Sequence, residues 1–144
     1  MKVIIKREFK KEHITVLKKS IRRKYGRFEK VKALLASKGC ASPGIGEAYL
    51  IYLCTMNEEP IEEEVIIKDK KVFNVFSAKR FEMIDYINNH GPLSLKELAR
   101  KTGRDYKNVY DDIYAMERFL ILNVVKSGKE KVPIGKINSI EIRI

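Results

Sequence analysis

The 144-residue sequence has no tryptophan, two cysteines, two histidines and four prolines. Each scarcity excludes a class of chemistry. Cys40 and Cys54 have no Cys or His partner at metal-ligand spacing, so neither a zinc cluster nor a disulfide framework is expected. They read as free thiols of a reducing cytoplasm. His13 and His90 lie far apart, and no Ser/His/Asp or Cys/His arrangement forms around either. No apolar run reaches the roughly 18 residues of a membrane span. Met1-Lys2-Val3-Ile4-Ile5-Lys6-Arg7 lacks the apolar length of a signal peptide. Gly44-Ile45-Gly46 is isolated and makes no phosphate-cradling loop. The expectation is a cytoplasmic binding protein with no catalytic residues, no metal, no cofactor and no membrane partner.

Acidic residues are scarce where basic ones are dense. Residues 1–40 hold 14 Lys/Arg against 3 Asp/Glu, which equals the net charge of +11 for the entire chain. Residues 41–76 reverse the balance, with 3 against 7, and residues 77–144 hold 13 against 9. Such an excess favours a polyanion, nucleic acid above all, without saying anything about sequence specificity.

Val3, Ile4 and Ile5 are β-branched between charged flanks and predict a short strand. From Glu8 to Lys24 the apolar residues Ile14, Leu17, Ile21, Tyr25 and Phe28 recur at helical spacing, with most lysines and arginines off the stripe. Gly26 interrupts the pattern at a cost of about 1 kcal/mol relative to Ala. It resumes at Val31, Leu34 and Leu35. This stripe packs on its own domain or on a second subunit, or the helix lays its charged face on a DNA backbone. It is also the best candidate for a dimer contact. Membrane-surface binding is disfavoured, because the stripe is narrow and carries no Trp. Gly39 to Gly44 is a break. Residues 47–57 read as a helix or a buried strand. Glu62-Glu63-Glu64 reads as a solvated charge run, and Val65-Ile66-Ile67 as a strand. Residues 68–76 are a return strand or a short helix.

The second half is punctuated more clearly. Ser77 caps a helix that His90-Gly91-Pro92 closes. Ser94-Leu95-Lys96-Glu97 is a capping box, and Leu95, Leu98 and Ala99 point inward from the short helix it starts. Thr102-Gly103-Arg104-Asp105 is a tight turn, with Asp105 placed to cap the next helix. Helix 105–119 carries an apolar stripe of Val109, Ile113, Met116 and Leu120. Its other face shows Lys107, Asn108 and Asp111, flanked by Tyr110 and Tyr114. Period-2 segments 121–126 and 131–134 around Ser127-Gly128-Lys129-Glu130 predict a hairpin with a basic tip, Pro133 at an edge. Ile137, Ile140, Ile142 and Ile144 suggest a final strand.

Helix, short helix, turn, longer helix and hairpin is the order of a winged helix-turn-helix. Four segments carry a narrower resemblance: Ser77-Ala78-Lys79-Arg80, His90-Gly91-Pro92-Leu93-Ser94, Glu97-Leu98-Ala99 and Gly103-Arg104-Asp105-Tyr106-Lys107-Asn108-Val109. Over residues 77–135 the chain resembles predicted winged helix-turn-helix transcriptional regulators common in archaea and related to MarR-like families. Two departures stand out: that group has Arg or a polar residue where Asp111 stands, and Gly where Leu120 stands.

The resemblance implies an α+β protein in which a basic, mainly helical extension with a short strand (residues 1–70, dimerisation) precedes a winged helix-turn-helix domain (residues 71–144). It implies a homodimeric, sequence-specific regulator of double-stranded DNA, its third helix in the major groove and its wing on the backbone. Tyr106, Lys107, Asn108 and Tyr110 are the candidate base or phosphate contacts, although Tyr106 packs equally well under the turn. Arg104 and the amides near Ser94 would hold the backbone, with Lys129 and Lys131 on the wing. The sequence does not reveal any small-molecule effector. The alternatives are a protein-interaction winged helix, antitoxin-like or an assembly subunit, and a nonspecific nucleic-acid-binding protein.

Overall fold

The computed structural model describes residues 1–38, 43–57 and 59–144. Most of the break expected over 39–44, with Cys40 and Glu58, lies outside the described residues. The protein is mixed α+β. Strand β1 (Lys2–Phe9) is followed by helices α1 (Lys11–Tyr25), α2 (Phe28–Lys38) and α3 (Pro43–Cys54), then β2 (Ile61–Ile67). A 3-10 turn at Lys70–Asn74 leads into α4 (Ala78–His90), α5 (Leu95–Thr102) and α6 (Tyr106–Glu117). Strands β3 (Asn123–Ser127), β4 (Glu130–Ile134) and β5 (Lys136–Arg143) complete the order. Among the described residues, no helix is long and apolar enough to cross a membrane.

β1 is the middle strand of an antiparallel sheet ordered β2-β1-β5. Its run of β-branched residues follows from that position, because a central strand is covered on both edges and favours side chains that fill a pleated surface. Val3 pairs with Ile67 and Ile142, and Ile5 with Val65 and Ile140. The sheet thus joins residues from both sides of position 70. The Glu62–Glu64 run is exposed and belongs to β2, opposite Glu8, Arg7 and Lys6. Arg7, only 5% exposed, forms an ion pair with Glu63 at 2.7 Å.

Val3, Ile5 and Ile137 share one core with Ile84, Leu95, Leu98, Val109, Ile113 and Met116. The predicted inward faces of α4, α5 and α6 are therefore one surface. Asn88 ties α4 to β5 with two hydrogen bonds: its Nδ2 donates to the Ile137 carbonyl (2.9 Å) and its Oδ1 accepts from the Ile137 amide (3.1 Å). Bonds of this kind contribute on the order of 1 kcal/mol each.

Part of the stripe expected to hold a dimer is covered inside the chain. Ile14 packs with Phe9, Val132 and Ile134, and Ile21 and Val31 pack with Ile45 and Ala48. The first of these clusters seats α1 on the β3–β4 hairpin; the second joins α1 to α2 and α3. Ile14 and Val31 are buried, at 2% and 0% exposure, while Leu17, Tyr25, Phe28, Leu34 and Leu35 of the same stripe are half-buried.

Leu120 also departs from its expected place. It is 55% exposed, and Ile121 and Leu122 are buried instead. The cause is a Schellman motif closing α6: the Ile121 amide bonds the Met116 carbonyl (3.1 Å) and the Leu120 amide bonds that of Glu117 (2.8 Å). The motif puts Leu120 in the left-handed region, at φ 59°.

Candidate nucleic-acid interface

The turn between α5 and α6 uses the same motif. The Gly103 amide bonds the Arg100 carbonyl (3.3 Å) and the Arg104 amide that of Ala99 (3.0 Å). Gly103 takes the left-handed position at φ 65°, which a residue without Cβ adopts without strain. The turn sets the start of α6 beside α5. Asp105 occupies the N-cap of α6, but its side chain makes no capping bond. At the start of α5 the serine half of the expected capping box forms, Ser94 Oγ accepting from the Glu97 amide at 3.2 Å.

Ser94, Tyr106, Lys129 and Lys131 line one notch of about 230 Å³, together with Leu95, Lys96 and Glu130. The first turn of α5 brings amides that have no partner within the helix. The hairpin supplies the two lysines. Ser94 itself is buried and its hydroxyl is committed to the cap, so the contact available there is backbone N–H. Tyr106 is 42% exposed and does not pack under the turn.

Along α6, Tyr106, Tyr110 and Tyr114 follow one another at four-residue spacing, with ring centroids 6.2 and 4.3 Å apart. This ladder faces the hairpin, where Lys131 Nζ sits 4.8 Å from the Tyr110 ring centroid and 5.5 Å from that of Tyr114. Burial raises the Tyr114 pKa, and the Lys131 charge opposes that shift. Lys107, Asn108 and Asp111 are exposed; at about 3.6 residues per turn Lys107 lies beside the tyrosine ladder and Asn108 further round the helix. Tyr110, half-buried, packs with the hairpin lysine.

Arg104 is turned inward. Its Nη2 donates to Asp112 Oδ2 at 2.6 Å, while Arg80 Nε donates to Oδ1 of the same carboxylate at 3.0 Å. Arg80 also bonds the Val75 carbonyl at 2.9 Å. Asp112 thereby clamps the start of α4 and the α5–α6 turn to α6. Arg104 Nη1 is buried with no hydrogen-bond partner among the described residues. The sequence carried no signal of this clamp, because Arg80 lies 32 residues from Asp112.

A second contribution comes from α1. The hairpin turn at Gly128 has φ 67°, and a Cβ there would collide with Nη1 of Arg23. The guanidinium of Arg23 thus lies against the turn that carries Lys129. Arg22, Arg23 and Lys24 form the last basic turn of α1. The charge of residues 1–40 was evident from sequence; its position beside the hairpin depends on the packing of Ile14 against Val132 and Ile134.

Residues 75–142 match the model of a family described as HVO_A0114. No curated protein and no solved structure matches the chain.

Proposed function

We propose that this chain is a winged helix-turn-helix regulator that binds double-stranded DNA sequence-specifically in the cytoplasm as a homodimer. In this reading α6 enters the major groove and the β3–β4 hairpin is the wing. The observation that carries it is the notch shared by the α5 N-terminus, Tyr106, Lys129 and Lys131, next to the exposed Lys107 and Asn108. Unpartnered amides and ammonium groups converging on one concave surface suit a phosphate. Asn108 suits bidentate pairing with adenine, and Lys107 a guanine edge or a phosphate. Arg104 acts here by holding the turn through Asp112. Ile14, Ile21 and Val31 are occupied within the chain, which leaves the half-buried Leu34 and Leu35 as the part of that stripe open to a second subunit.

One observation favours a second reading, a protein-interaction winged helix. Asp105 and Asp111 are exposed on or beside the same helix face, where carboxylates disfavour phosphates. The deciding experiment is selection from a random duplex pool across a salt series, with single-stranded DNA as competitor. One enriched two-fold motif with a steep salt slope supports the regulator. A steep slope without a motif indicates nonspecific nucleic-acid binding. Weak binding throughout moves the assignment to the protein-interaction reading.

A further inference from the structure

A cleft of about 580 Å³ lies at the C-terminal end of α6, bounded by α3, β1, β2 and the start of β3. Its size is within the range of roughly 300–1,000 Å³ that holds small organic ligands. The walls are mostly apolar, with Phe9, Leu17, Ile51 and Val124 among them. Leu50 and Leu120 also line it, yet they remain 60% and 55% exposed, so apolar surface at the cleft stands uncovered.

Its charge is opposite to that of the rest of the molecule. In a chain of net charge +11, the cleft presents Glu47, Glu63 and Glu117 against a single cation, Arg7. Arg7 is consumed: Nε and Nη2 donate to Glu63 Oε2 at 3.0 and 2.7 Å, and Nη1 donates to the Leu120 carbonyl at 2.6 Å. Among the described residues, neither Glu47 nor Glu117 takes part in an ion pair. Glu117 is the last residue of α6, where the carbonyl end of the helix adds negative potential.

We infer that this cleft is a binding site for a small lipophilic cation, an amine or onium compound. Its apolar body fills the space between Leu50 and Leu120, and Glu47 and Glu117 meet its charge. Partial desolvation of a cation against apolar walls costs free energy that a counter-charge offsets, and the cleft supplies two carboxylates outside any ion pair among the described residues. An anion of equal shape meets the same walls with no positive charge left to pair. The inference rests on the cleft alone and is independent of DNA binding.

The test is a methyl NMR titration of the full chain with tetraphenylphosphonium, repeated with tetraphenylborate, which has the same shape and the opposite charge. Saturable shifts at the methyls of Leu50, Ile51, Leu120 and Val124 are expected with the cation. Replacing both carboxylates, Glu47→Gln with Glu117→Gln, should weaken its binding about tenfold. The substitutions sit at an exposed and a half-buried position, and an unchanged methyl spectrum confirms the fold. Absence of shifts at these methyls overturns the inference, as does equal binding of the borate there or unchanged affinity in the double variant. Shifts of the same methyls with protein concentration alone would assign the cleft to a second copy of the chain and overturn it as well.

Discussion

The guanidinium of Arg7 in β1 donates to the carbonyl of Leu120, 113 residues away, at 2.6 Å, and so fixes the end of α6 to the middle strand of the sheet. The same side chain holds Glu63 in the neighbouring strand and reaches Asn123 Oδ1 at 3.3 Å. Arg7→Met removes all of these donors from a buried position. The expected loss is about 2–3 kcal/mol, because hydrogen bonds to a charged group are worth more than neutral ones. Glu63→Gln should cost less, about 1 kcal/mol, since that carboxylate is partly exposed. Urea unfolding of both variants measures the difference. Equal losses would place the contribution in the ion pair and leave little for the Leu120 carbonyl.

Leu120→Gly should stabilise the protein by about 0.5–1 kcal/mol. An L-residue in the left-handed region costs roughly 1–2 kcal/mol, and Leu120 occupies it with more than half its surface exposed. Glycine relieves that strain and keeps the carbonyl that Arg7 holds. The gain is reduced by the entropy glycine adds to the unfolded chain. A lower melting temperature for Leu120→Gly would show that contacts of the leucine side chain outweigh the backbone strain.

His13 makes the fold sensitive to mild acid. Its Nδ1 accepts from the Lys10 amide at 2.9 Å, which requires an unprotonated nitrogen. Burial lowers its pKa; Glu12 opposes the shift and Lys10 adds to it. The folded state therefore binds the proton less readily than the unfolded chain, whose His titrates near 6.5. The stability tied to neutral His13 is complete above that value and is lost as pH falls through it toward the folded-state value. Thermal melts from pH 8 to pH 5 should show this decline, and His13→Gln should flatten it. A decline that persists in the variant would place the titration in other groups.

Two substitutions on the proposed DNA surface should differ in kind. Asn108→Ala should cost about 1–3 kcal/mol and relax preference at one base position. Lys129→Ala should weaken all duplexes alike and lower the salt slope by about one. Competition binding on matched and single-base-altered duplexes separates the two. Uniform weakening by Asn108→Ala would remove it from base reading.

Arg23→Ala tests whether α1 extends that surface. Because Arg23 lies against the Gly128 turn, its loss should lower the salt slope about as much as loss of Lys129, with little change in melting temperature. An unchanged slope would leave the basic residues of α1 outside the DNA contact.

What was legible in the sequence was local. Ser77, Ser94, Gly91 and Gly103 marked helix ends, and the 3.6-residue period of Val109, Ile113 and Met116 marked a buried face. These signals act over a few residues and survive whatever the rest of the chain does. Pairings across long separations were not legible. Nothing in Glu62-Glu63-Glu64 reveals that β1 lies beside it, and nothing in Asp112 reveals Arg80. The Ile14–Leu35 stripe shows that a surface will be covered; only the fold shows that a hairpin more than 100 residues later covers part of it. Leu120 misled because its spacing fits the stripe while the chain has already left the helix.

The β1–β5 pairing runs from Lys2↔Arg143 at one end to Glu8↔Lys136 at the other, and it constrains how the protein is made. β1 leaves the ribosome long before β5, so the middle strand of the sheet has an open edge for most of synthesis. Contacts this distant in sequence slow folding, because the loop must close before they form. During that interval Val3-Ile4-Ile5 is an exposed, aggregation-prone segment, and Lys2, Lys6 and Arg7 at its flanks are charges of the kind that discourage strand pairing between chains.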